Sequence, residues 1–111
     1  MYLNFFLVHP KDNSVLYHEK IAYNLEQMAE KAGVYNALWQ PHDNGYAYGR
    51  EVVDTLRKGL KHLCDQPDYY KPFAPQNEQG KYKHLMGFVS DVLEACVKFP
   101  DAVIVETQTE I

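Results

Sequence analysis

The chain opens on a dense apolar run, YLNFFLV from Tyr2 to Val8, stopped by His9 and Pro10. Its shortness and its aromatic and branched residues predict a well-buried strand. HPKDNS then concentrates Pro, Asp, Asn and Ser, residues that turn a chain. VLYHE comes directly after and is the candidate for a short returning strand that would make a hairpin. From Ile21 the period changes. Ile21, Leu25, Met28, Ala29 and Ala32 fall at i, i+4, i+7, i+8 and i+11, one helical stripe. Gly33 stands where a left-handed residue would end that helix.

VYNALWQP reads as a further turn or so of helix, closed by Pro41, which biases Gln40 toward extended backbone. HDNG is a second turn, with Asp43 and Asn44 as candidate helix caps. A long helix is expected from about Tyr46 to Asp65, with Gly49, Val52, Val53, Leu56, Leu60 and Leu63 as its apolar stripe. Gln66-Pro67 ends it. DYYKPFAPQNEQG is a long connection, aromatic enough to pack down on the fold. A third helix is expected over about Lys81 to Phe99, with Tyr82, Leu85, Met86, Val89, Leu93, Cys96 and Val97 facing inward. Pro100-Asp101 breaks it, AVIVET reads as the last strand, and QTEI as a frayed tail. The order predicts a single α+β domain over residues 1–111. Its N-terminal strand or hairpin and its C-terminal strand form one small sheet, covered by about three helices.

Composition narrows the class. A chain of 111 residues buries roughly 65% of its unfolded surface, enough for one domain without staples. The aromatic share of 14% calls for a large aromatic core or a binding face. Net charge is −4, and the longest basic cluster, RKGLK from Arg57 to Lys61, makes one solvated helix face. Direct binding of duplex nucleic acid is therefore not expected. The acidic residues are spread along the chain, unlike the dense rows of a nucleic-acid mimic. Cys64 and Cys96 lie on or near helical apolar faces and read as buried, reduced thiols of a cytoplasmic protein, with a disulfide between the two helices as the alternative. No apolar run approaches the roughly 18 residues that span a bilayer. MYLNFFLVHP has neither the cationic start nor the cleavage site of a secretion signal.

Catalytic and metal motifs are sparse. The histidines, His9, His18, His42, His62 and His84, form no HExxH pair, and His62 and Cys64, two apart on a helix, point in different directions. Neither a metal nor a cofactor is expected. There is no G-x-S-x-G elbow, a buried structural Cys is inert, and Asp54, Asp91 and Glu94 read as solvent-facing. These observations favour binding over catalysis. The alternatives are a small enzyme with a His/Cys or His/carboxylate site assembled by folding, or a structural component of a larger particle or complex.

GVYNALWQPHDNGYAYGRE, from Gly33 to Glu51, holds the only Trp, three Tyr, a His and an Arg. Tyr35, Leu38 and Trp39 share one side of a single helical turn, a spacing more usual in a core. Gly45 and Gly49, followed by Arg50, stand near a helix N-terminus, where free N–H groups and a guanidinium would hold an anion. The simpler reading makes Gly45 a turn residue and Gly49 a close-packing one. The candidate binding surface is Tyr35, Trp39, His42, Tyr46, Tyr48 and Arg50. It forms an aromatic wall with cationic neighbours for a nucleobase or a partner's side chain.

YNLEQMAEKAGVYNALWQP (Tyr23 to Pro41), the helix with LRKGL, and GKYKHLMGFVSDVLEAC (Gly80 to Cys96) together resemble a family of small uncharacterised bacterial and phage proteins. Its members carry an "NL..MA..AG.Y..LW.P" motif and later an NGWG element. The resemblance spans Asn24 to Ala102. This chain has NEQG, Asn77 to Gly80, in place of NGWG, so a family function that uses that Trp does not carry over by the resemblance. The resemblance implies a phage or mobile-element protein that acts by binding, for example a host-defence inhibitor. It would engage a host protein or sequester a nucleotide-like ligand in the host cytoplasm.

Overall fold

A computed structural model describes residues 1–75 and 81–110. Three strands form one antiparallel sheet in the order β2-β1-β3: β1 Tyr2–Val8, β2 Val15–Ala22 and β3 Val103–Thr109. The first and last strands pair side by side, and the helices cover one face, so the chain is an α+β fold. The helices are α1 Glu26–Ala32, α2 Tyr35–Leu38, α3 Val53–Asp65, α4 Pro67–Tyr70 and α5 Tyr82–Lys98.

Alternation along β1 sets the two faces. Leu3, Phe5 and Leu7 are fully buried and point to the helices, as does Ile104 of β3. Tyr2, Asn4, Phe6 and Val8 point the other way. The register slips by one between Leu7 and Val8. This bulge lets both Leu16 and Tyr17 pack toward the core and returns Val15 to the opposite face.

Several boundaries differ from the pattern-based expectation. β2 runs on through Ala22, so Ile21 is a buried strand residue opposite Leu3, and the helix begins only after a 3-10 turn over Tyr23–Leu25. Burial alone cannot separate the two states here, because Ile21 faces the core in both. Gly33 ends α1 at φ 80°, with Val34 N–H donating to Ala29 and Gly33 N–H to Glu30, a Schellman closure. The segment around Tyr46 is extended, and Asp43 and Asn44 cap no long helix. A 3-10 turn over Gly49–Val52 leads into α3 instead. On α5 the buried stripe includes Phe88 and Val92, while Val97 is exposed. Gln108 and Thr109 are not frayed; they pair with Leu3 and Tyr2. Cys64 is exposed and Cys96 buried, both free thiols, which corrects the expectation for Cys64. Its Sγ touches Met86 Sδ at 3.7 Å. The NEQG element lies outside the described residues.

Within the connection after α3, Tyr70 is buried and the short helix α4 packs on α1 and α3. Gly59 of α3 meets the Val34 side chain and Ala32 carbonyl with no room for a Cβ. No helix among the described residues is long and apolar enough to cross a membrane.

Candidate functional site

The stretch from Gly33 to Glu51 divides at Pro41. Trp39 is fully buried. Its ring stacks on Tyr35 at 6.1 Å and meets Phe88 and Tyr23 edge-on, and its indole N–H donates to the Tyr23 carbonyl at 3.3 Å. Trp39 is therefore core and is removed from the candidate binding surface. Tyr35 is half-buried, and its ring packs on Trp39 rather than on the tyrosines after Pro41.

Beyond Pro41 the chain runs along the outer edge of β3. His42 Nε2 donates to the Ile104 carbonyl at 2.8 Å, Ile104 N–H donates to Ala47, and Tyr48 bridges to Val103. His42 is thus a clamp on the sheet. Tyr46 is half-buried against the core. Tyr48 and Arg50 do come together, with the guanidinium 4.6 Å from the ring centroid. Arg50 also donates to Asp101 at 2.9 Å.

No anion cradle forms, because every backbone donor from Gly45 to Arg50 is spent. Gly45 N–H donates to His42, Tyr46 to Pro41, Gly49 to Ala102 and Arg50 to Pro100. Ala47 and Tyr48 both donate to one carboxylate oxygen of Glu51, at 2.8 and 2.7 Å. Those two bonds, with Ala47 first, hold the Glu51 carboxyl below its ordinary range. Glu51 therefore fills the place an anion would take. Gly45 is a left-handed turn residue at φ 79°. Gly49 is a close-approach residue, since a Cβ there would lie 2.9 Å from the Phe99 carbonyl.

Tyr48 belongs to a larger surface that periodicity alone did not reveal. Cross-strand pairing lines up Tyr48, Val103, Val8 and Val15 in one row over the helix-free face. Tyr48 and Val15 are 37% and 58% exposed at its two ends. The next row is Val105, Phe6 and His18, where the Phe6 and His18 rings stack at 4.3 Å. Farther along, Asn4 donates to Thr109 Oγ1 at 2.9 Å and accepts from His18 Nε2 at 3.0 Å. The face is apolar at one end and hydrogen-bonded at the other. Asn4, the one polar residue inside YLNFFLV, is a local sign of this face, but a single polar position does not reveal it.

A second feature lies on the helix side. Between β2 and α5, two clefts of about 390 and 340 Å³ share Glu19 and Asp91. Burial raises the Glu19 carboxyl to about 7, the neighbouring Asp91 adds to the rise, and Tyr17 O–H, donating at 2.8 Å, partly offsets it. Burial likewise pushes the Tyr17 hydroxyl up. Nothing in the sequence links Glu19 to Asp91; the docking of β2 on α5 brings them together. Among the described residues no group of His, Cys, Asp and Glu is arranged to hold a metal ion.

Comparison with protein-family models, with curated proteins and with solved structures returned no match to this chain.

Proposed function

We propose that this protein is a non-enzymatic binding protein whose partner is another protein, engaged on the open face of the sheet. The carrying observation is the row Tyr48, Val103, Val8 and Val15, continued by Val105 and Phe6, on a face that no helix among the described residues covers. Contiguous partly exposed apolar side chains with an aromatic and an Arg at the rim are the composition of a protein interface. Of the residues singled out in the sequence, Tyr48 and Arg50 stay in this surface. The nucleotide-like version loses its support, because Arg50 is engaged by Asp101 and the glycine turn has no free donor. The likeness to small phage proteins supplies the setting: a host protein as target, in the host cytoplasm, with inhibition of a defence enzyme as the outcome.

The test is capture from host lysate with the native chain, Tyr48→Ala, Val15→Glu and, as a control on the helix side, Val97→Glu. One species held by the native chain and by Val97→Glu, and lost by both face variants, is the expected result. Capture that ignores both face variants would overturn the reading.

A second reading is carried by Glu19. A carboxyl raised toward neutrality between two clefts, beside a Tyr, is the arrangement of a general acid or base. Turnover of any compound in a broad hydrolase and isomerase screen, abolished in folded Glu19→Gln, would favour it.

A further inference from the structure

The two outer strands end the sheet differently. β2 shields its edge with His18, Glu19 and Lys20 and with the bulge. Among the described residues, β3 is covered only at its start. Ile104 turns both its N–H and its carbonyl outward, to Ala47 and to His42. In an antiparallel strand that direction repeats every second residue. The N–H and carbonyl groups of Glu106 and Gln108 therefore also point outward. Among the described residues these outward groups of Glu106 and Gln108 have no partner, along the stretch between the clamp at Ile104 and the end of the strand.

We infer that this stretch pairs with its own copy, antiparallel about Thr107, joining two sheets into one six-stranded sheet. In that register Glu106 lies opposite Gln108 of the partner subunit, and Gln108 opposite Glu106 of the partner subunit. Both are outward-facing pairs that exchange two backbone bonds each. The Gln108 amide then donates to a carboxylate across the junction. On the open face Thr107 meets Thr107 of the partner subunit and Val105 meets Thr109 of the partner subunit, favourable cross-strand pairs. Only Glu106 carries charge in the stretch, and this register sets it against a neutral amide. Shifting by two residues either way sets Glu106 against Glu106 or Glu110 of the partner subunit. Like charges directly opposite are destabilising, so of these three registers a second copy fits best in the one about Thr107.

The consequence is functional geometry. Two open faces become one continuous surface, with a Tyr48–Arg50 pair on either side of the junction and the β2 edges at its far ends. So short an edge buries little area, so the dimer is concentration-dependent.

Sedimentation equilibrium on the full chain, from low to high micromolar, tests this. The native chain is expected to pass from one-chain to two-chain mass. Gln108→Glu, which opposes carboxylates twice, should raise the dimer dissociation constant about tenfold or more at neutral pH. Gln108→Pro removes an outward donor and spares the β1 ladder, so it should remain folded by circular dichroism and lose the dimer. A native chain that stays at one-chain mass throughout would overturn the inference. A dimer of unchanged affinity in Gln108→Glu would do the same, and that surface change leaves the fold readable if the proline variant does not. The result is independent of partner capture, so either proposal can fail alone.

Discussion

Residues 33–41 and residues 42–50 have similar ingredients: aromatics, a glycine in the left-handed region, and polar residues between. They end in opposite environments. Gly33 closes a helix and Val34 drops into the core, so the next turn carries Trp39 inward among Tyr23, Tyr35 and Phe88. Gly45 closes a single 3-10 turn, and the chain leaves it extended along β3, so Tyr48 stays on the surface. The path of the chain after each glycine decides the fate of the aromatics. Composition does not.

The contrast breaks most easily at Trp39. Trp39→Ala removes a fully buried ring from the junction of α2 and α5 and is expected to cost about 3–5 kcal/mol. Tyr48→Ala, on the exposed face, should stay within about 1 kcal/mol. Urea melts followed by circular dichroism compare the two directly. Near-equal losses would mean that the two halves are not distinct.

Next in size is Gly49, where the second half touches the body of the fold. A Cβ at Gly49 would press on the Phe99 carbonyl and on Cys96 of α5, so Gly49→Ala should cost about 1–3 kcal/mol by overpacking. Gly45→Ala fails for a different reason. It has open space around it, and its cost of about 1 kcal/mol comes from holding φ at 79°. Equal melts for the native chain and Gly49→Ala would show that α5 can retreat from the edge segment.

Acid separates the halves without mutation. The first half is held by apolar packing, which does not titrate. The second is held by Glu51, whose carboxyl is lowered by the Ala47 and Tyr48 amides. A lowered carboxyl contributes stability that is present above its ordinary range near 4.5 and is lost as the pH falls through the folded value. Amide exchange, corrected for intrinsic rate, should show Ala47 and Tyr48 losing protection below that range. Trp39 fluorescence should hold over the same interval. Glu19 has the opposite sign. Its carboxyl is raised to about 7, so the stability it adds is full below the ordinary range and is lost as the pH rises toward neutrality.

The legible part of the molecule was the part that repeats. Strand β1, the stop at Gly33, the apolar side of α3 and the last strand all come from period and turn residues, because those signals are local. The start of α3 was not legible. Tyr46 and Ala47 sit on an unbroken helical pattern, yet Ala47 and Tyr48 find ladder partners on β3, a tertiary gain that no local window contains. The candidate site suffered the same way. His42, Tyr48 and Arg50 were visible as types, but their partners Ile104, Val103 and Asp101 arrive from the far end of the chain. The open face of Phe6, Val8, Val103 and Val105 was hidden because YLNFFLV looks buried on both sides.

Arg50 gives the smallest expected effect on stability and the sharpest separation of fold from surface. Its pair with Asp101 is exposed, and such pairs are worth at most about 1 kcal/mol after solvent screening. Stacking on Tyr48 orders the guanidinium without burying it. Arg50→Ala should therefore melt close to the native chain, with Asp101→Ala beside it, since neither change leaves a buried charge behind. At a protein interface the same side chain is an anchor, pre-set over an aromatic ring, and its removal there costs about 1–2 kcal/mol of binding, roughly tenfold in affinity. A variant that melts normally and binds its captured partner ten times more weakly puts Arg50 on the surface side of the comparison. A melt lowered as far as that of Trp39→Ala would put it with the core, and the division at Pro41 would then be one of exposure only, not of role.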